Sequence, residues 1–260
     1  MIERVHRVSI MILGGMIMFN CTFRKQSVTP ENLYKNDVAN QIAHESYDRV
    51  MDFWPVAYTE DWIDTDYGLS HVIVSGPEDG KPVVLLAGLF ADATMWYANV
   101  GRLAEEYRVI CPDQMTYGGK SKPEHKKVLN INDYAVWYEQ LLDYFEYEKA
   151  AVGGLSYGSW LSLALARENP TSISAIIMLD PSETFAKMDG GIAWRGFRDF
   201  MWFPNRDKYK RFFDWMGGDY SSPSPESDLW LEHMLDVIEY GSIGMFDIPQ
   251  HRVYTSKELA

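Results

Sequence analysis

Cysteine is nearly absent. The 260 residues hold two, Cys21 and Cys111, in unrelated contexts. They give no disulfide framework, and neither a C-x-x-C nor an H-E-x-x-H spacing suggests a metal site. Positive charge is scarce as well, with 24 Lys and Arg against 37 Asp and Glu, a net charge of −13. An acidic surface argues against a nucleic-acid partner and against charge-driven binding to anionic membranes. Internal repeats and low-complexity tracts are missing. What is abundant is apolar: 47% of residues are hydrophobic and 14% aromatic. That composition and length suit one large domain with a real core. Cys111 ends the apolar run that starts at Tyr107 and reads as a buried core thiol.

The N-terminus carries a basic head, Arg4, His6 and Arg7, then an uncharged, mostly apolar run from Val8 to Phe19. That run is too short to span a bilayer comfortably and fits the apolar region of a signal peptide. Cys21 resembles the acylated cysteine of a bacterial lipoprotein, although Phe19-Asn20 is not the usual small-residue pair before it. Residues 1–21 are therefore expected to export the chain or tether it to a membrane. An uncleaved membrane-associating helix and a mis-assigned start codon in a cytosolic protein remain open.

Residues 22–54 are polar and read as a linker running into a helix, with Tyr47, Val50 and Met51 as its apolar contacts. Pro55 to Asp66 and Ser70 to Ser75 read as two strands around a Tyr67-Gly68 turn. Pro82 to Ala87 and Tyr107 to Cys111 are continuous apolar runs, the mark of strands buried on both faces. Met95 to Glu106 and Asn132 to Tyr147 read as helices. Ile173 to Leu179 is one more apolar strand. Strands alternating with helices imply a mostly parallel, doubly wound α/β sheet. Residues 185–250 break this rhythm and read as short aromatic helices around Trp194, Phe200, Phe212 and Trp230.

The most informative stretch is Gly154-Leu155-Ser156-Tyr157-Gly158. It follows the strand-like Ala150-Ala151-Val152-Gly153 and precedes a helical run from Trp160 to Arg167. A G-x-S-x-G at a strand-to-helix turn needs both glycines because the turn is too tight for side chains. It sets the serine hydroxyl above the sheet and aims a helix N-terminus at it.

With its ordered neighbours, this motif resembles the α/β-hydrolase superfamily, in particular bacterial esterase-like members with a helical cap. Val83 to Leu89 sits where that family has a strand ending in His-Gly-x, with Ala87 in place of the histidine. Thr94-Met95-Trp96 looks like the start of the first helix. Asp113 to Ser121 looks like the family's aspartate–glycine–serine loop. The resemblance implies an α/β-hydrolase core over 55–184, a cap over 185–250 and a return to the core at 251–260. It implies Ser156 as nucleophile and the backbone N–H groups of Leu89 and Tyr157 as the oxyanion hole, with Phe90 a weaker candidate. No cofactor is expected.

The family's acid and histidine follow its seventh and eighth strands, whereas the strands read here reach only the sixth. The chain is therefore expected to lack its last strands, leaving Ile176 to Leu179 as an apolar edge open to self-association. Asp180, at the end of that strand, is a candidate substitute acid. His233 and His251 fall in or beside the cap, as a helix face and a surface loop, and are weak candidates for the base. His44, His71 and His125 read as surface residues. The expected function is a serine hydrolase acting on carboxylic esters or related acyl substrates, with its activity in doubt. The alternative is a non-catalytic protein that binds a small apolar ligand on the same fold.

Overall fold

A computed structural model describes residues 33–201, 205–217, 224–242 and 248–259. Residues 1–21, with Cys21 and the expected export segment, lie outside the described residues, as do Trp202 and Phe203. No helix of the described residues is long and apolar enough to cross a membrane.

The chain opens with helix α1, Asp37–Met51, capped by the Asn36 side chain, which accepts the Ala39 N–H at 2.9 Å. Ala39, Ala43, Ser46, Tyr47 and Val50 recur at helical spacing and form its buried face. Strands β1 (Tyr58–Thr65) and β2 (Gly68–Ser75) make a hairpin. Then follow β3 (Lys81–Leu86), a 3-10 turn (Ala93–Trp96), α2 (Tyr97–Leu103), β4 (Tyr107–Pro112) and the short β5 (Lys122–Pro123). Helix α3 (Ile131–Tyr144), strand β6 (Ala150–Leu155), helix α4 (Tyr157–Glu168) and strand β7 (Ile173–Leu179) complete the core.

Among the described residues the sheet order is β1-β2-β4-β3-β6-β7, with β5 paired to β2. The β3–β4, β3–β6 and β6–β7 pairs are parallel, and the pairs involving β1, and β2 with β4, are antiparallel. Period-two alternation divides the strands' side chains between two cores. Val72, Val74, Val84, Leu86, Ile110 and Val152 face α3 and α4, where Tyr134, Trp137, Leu141, Leu161 and Leu165 meet them. Ile73, Val83, Leu85, Val109 and Cys111 face the other way, onto Tyr47, Met51, Trp96 and Val100. Burial pushes the Cys111 thiol pKa up, as suits an inert core residue.

The expected elements form with shifted ends. The helix expected from Met95 begins as the 3-10 turn, because Asp92 caps it there, and α2 stops at Leu103. Helix α3 ends at Tyr144, and Glu146 just beyond has a positive φ of 58°.

The segment after β7 is helical, as its lack of strand pattern implied: α5 (Gly190–Gly196), a π-helical turn (Phe197–Met201), α6 (Arg206–Gly217), α7 (Pro225–Tyr240) and α8 (Ser256–Leu259). Neither α5 nor α6 has a buried residue. Helix α7 packs against α1 and buries His233, Met234, Leu235, Asp236 and Val237.

Candidate active site

Strand β6 ends at Leu155 and α4 begins at Tyr157, leaving Ser156 alone at the turn with φ 53° and ψ −112°. Such a backbone is strained for a residue with a Cβ and costs on the order of 1–3 kcal/mol. The close approach around it is severe. A Cβ on Gly158 would overlap the Leu86 and Ala87 carbonyls, and one on Gly154 would overlap the Gly158 backbone. The Ser156 N–H donates to the Leu179 carbonyl at 2.9 Å, and the Ser156 carbonyl accepts from Trp160 at 3.2 Å and Ser159 at 3.1 Å. The serine is half-buried.

The turn after β3 lies beside it. A Cβ on Gly88 would stand 3.4 Å from the Leu155 carbonyl oxygen and 3.9 Å from the Ser156 Cβ. Ala91 N–H donates back to the Gly88 carbonyl at 3.1 Å, and Phe90 between them has φ 62°. Neither the Leu89 N–H nor the Tyr157 N–H is given to another described residue. Ala87, where a bracing histidine was missing, is held differently. Gln114 Nε2 donates to its carbonyl at 2.9 Å, and the hydroxyls of Tyr134 and Tyr117 hold Gln114 Oε1 at 2.8 and 3.3 Å. Gly88 N–H also points at Met95 Sδ, 3.2 Å away.

No side chain among the described residues hydrogen-bonds to Ser156 Oγ. Asp180 sits next to the elbow through Leu179, with φ 44°, but it is exposed and meets no histidine among the described residues. His251 lies 3.1 Å from Glu183, without hydrogen-bond alignment, and its ring packs on Tyr157 and Trp160. Ser182 N–H reaches the Ser156 carbonyl at 3.4 Å, so this acid–imidazole pair neighbours the elbow without touching the serine hydroxyl.

Two histidines expected at the surface are buried. His71 Nδ1 meets Asp113 Oδ2 at 2.7 Å, and Asp113 also accepts the backbone N–H of Ala93 at 2.9 Å and Lys120 at 2.8 Å. Burial alone would lower the His71 pKa. The hydrogen bond and charge of Asp113, with the Glu60 carboxylate 3.8 Å from Nε2, outweigh it and raise the value to about 9. Glu60 is held at about 2, chiefly by the His71 imidazolium 3.8 Å away and then by Lys120 at 3.4 Å. The second is His233, expected on a helix's polar face. Its Nε2 contacts Asp92 Oδ2 at 2.7 Å and its Nδ1 contacts Ser46 Oγ at 2.8 Å. Burial would raise the Asp92 pKa, but the His233 charge and hydrogen bond and the Thr94 bonds hold it low. Spacing gave no sign of either pairing, since His71–Asp113 and His233–Asp92 are 42 and 141 residues apart. The one local trace is Asp92-x-Thr94, an N-cap pattern.

The resemblance to capped esterases implies a cap that closes over Ser156. Phe90 does stack on Phe200, which packs on Tyr209, Phe212 and Phe213. Trp194, Phe197 and Trp215, however, stand 61, 44 and 40% exposed. Two open depressions, about 490 and 650 Å³, lie at Asp64–Gln140 and Lys35–Tyr240, neither against Ser156. Among the described residues no group of three His, Cys, Asp or Glu is arranged to hold a metal ion.

A strained serine between a buried parallel strand and a helix, on this sheet order, defines an α/β-hydrolase. The α/β hydrolase fold family model matches residues 81–211, and the chain belongs to that family. It is similar to the uncharacterized carboxylesterase nap of Bacillus subtilis (strain 168), 34% identical over 142 residues, covering 55% of this chain and 47% of the relative. Carboxylesterase YbfK of the same organism is 27% identical over 142 residues, covering 55% and 48%. The crystal structure of naproxen esterase from Bacillus subtilis superposes with a TM-score of 0.75 at 26% identity, covering 86% of this chain and 78% of that one. The chain spans about half the length of the curated relatives it matches.

Proposed function

We propose that this chain is a serine esterase in which Ser156 accepts the acyl group of a carboxylic ester. The observation that carries the reading is the elbow: Ser156 at φ 53° on the turn from β6 to α4, with the Gly88 turn against it. Ser156 Oγ would attack the ester carbonyl carbon and lose its proton to solvent or a base. The oxyanion would sit between the Leu89 and Tyr157 N–H groups, which have no other described partner. Collapse would expel the alcohol, and water would then release the acid. The carboxylesterases that the chain resembles support the substrate class. With no base at hydrogen-bond distance among the described residues, turnover should be low, on the order of 10³–10⁴ over water.

The same absence favours a second reading, a binder of a small apolar ligand that does not turn it over. Ser156→Ala separates the two. It should abolish release of p-nitrophenol from a p-nitrophenyl ester in an esterase, and leave ligand affinity unchanged in a binder.

Residues 1–21 would export or tether the chain, which fractionation of cells expressing it would test. The β7 edge, with Ile176, Ile177 and Leu179 all about 40% exposed, would support self-association. A concentration-independent monomer in sedimentation velocity would refute that.

A further inference from the structure

We propose that Ser46, His233 and Asp92 form a buried relay that holds the oxyanion turn, making helices α1 and α7 positioning elements for acyl transfer at Ser156. The inference rests on the reading that the Leu89 amide serves the oxyanion.

Asp92 lies directly beyond the Gly88–Ala91 turn. Its Oδ1 accepts Thr94 N–H at 3.1 Å and Thr94 Oγ1–H at 2.6 Å, and its Oδ2 accepts Gly119 N–H at 3.0 Å and His233 at 2.7 Å. One carboxylate thus joins the oxyanion turn, the 118–120 loop and α7. His233 passes the connection to Ser46 on α1, and the Ser46 hydroxyl is bonded in turn to the Ala43 carbonyl at 3.0 Å. The Tyr47 ring closes on His233 edge-on at 5.6 Å.

The chain just before α1 and the end of α7 are themselves joined, though far apart in sequence. Lys35 N–H donates to the Tyr240 carbonyl and Ser242 N–H to the Leu33 carbonyl, both at 2.9 Å. Tyr34 Oη then donates to the Gly119 carbonyl at 3.0 Å. The segment leading into α1 therefore holds the Gly119 carbonyl directly through Tyr34, and α7 holds its N–H through His233 and Asp92.

A clamp is needed there. Phe90 holds a left-handed backbone with a full side chain, and such a residue persists only where its surroundings over-determine it. The order serine, histidine, aspartate matches that of a catalytic triad, but the three side chains are at most 2% exposed and the Ser46 hydroxyl is already engaged. No ester carbonyl can reach it. The relay acts on Ser156 only through the turn.

The test uses the full chain with His233→Leu, His233→Gln, whose amide nitrogen can still donate to Asp92, and Ser46→Ala, which removes only the last link. Amide hydrogen exchange is followed in residues 88–94 and 117–120. Fluorophosphonate labelling of Ser156 is resolved into a saturating rate and a half-saturating concentration. His233→Leu should speed exchange in both segments by about tenfold, the scale of one buried charge-assisted hydrogen bond. It should slow the saturating labelling rate by a similar factor and leave the half-saturating concentration near the native value. His233→Gln should restore most of both. Leu142→Ala, a core variant on α3 outside the relay, should lower global stability and change neither selectively. Exchange that rises in every segment together, as in Leu142→Ala, or that stays unchanged at 88–94, overturns the relay. Should His233→Leu fail to fold, Ser46→Ala carries the same comparison at smaller amplitude. If the native chain takes no label at Ser156, the acyl-transfer reading fails, and exchange alone decides whether the relay holds the turn.

Discussion

Strands β2 and β7 are both apolar, yet their surroundings are opposite. β2 has seven of its eight residues buried, between β1 and β4 and under helices on both faces. β7 buries none of its seven, and its outer edge pairs with no described strand. The contrast extends past the strands. Buried carboxylate–histidine pairs tie the loops and helices around β2 and β4 together, whereas Trp194, Phe197 and Trp215 in the segment that follows β7 face solvent. Composition alone does not make a core, because an apolar strand gains stability only from what covers it. The elbow sits on β6, between the two regimes.

The largest effect should come from the polar interior on the β2 side. Asp113→Ala leaves a buried imidazolium and two backbone N–H groups without their acceptor, and should cost about 3–5 kcal/mol in urea unfolding. A loss below 1 kcal/mol would mean the network contributes little. Next, the same truncation made on each strand should give unequal results. Ile73→Ala should cost about 2–5 kcal/mol, whereas Ile176→Ala on the open edge should stay within about 0.5 kcal/mol. Equal costs would show that β7 is covered in solution.

A pH series sharpens the contrast further. The His71 pKa is higher folded than unfolded, so its stabilisation is complete below about 6.5 and is lost as pH rises through about 9. That alkaline loss should be at most about 3 kcal/mol. Glu60 is shifted the other way, so its contribution is present above about 4.5 and fades as pH falls toward 2. His71→Gln should flatten the alkaline limb of the stability profile; an unchanged limb would assign it to another group. The smallest thermodynamic effect belongs to Ile177→Lys on the edge. It should reduce self-association in sedimentation velocity while leaving the thermal midpoint nearly unchanged.

The core strands were legible because their apolar runs are continuous, and the elbow because its two glycines and serine bracket a change of period. Both depend on neighbours in sequence. The buried polar network was not legible for the opposite reason. His71 and His233 sit in stretches with no pattern of their own, and only the fold brings them to Asp113 and Asp92. The cap showed the same limit from the other side. Its aromatic spacing announced helices, but nothing in Trp194 or Trp215 told whether they would be covered. Helix ends shifted where a side chain took over a backbone group, as Asp92 did at Thr94.

Acyl transfer to Ser156 is tested most directly by the mass of the intact chain after reaction with an activated acyl ester, followed by peptide mapping. A single acyl adduct should form slowly on the peptide containing Ser156 and be absent from Ser156→Ala. An adduct that persists in Ser156→Ala, or a folded chain that gains no mass, would contradict it.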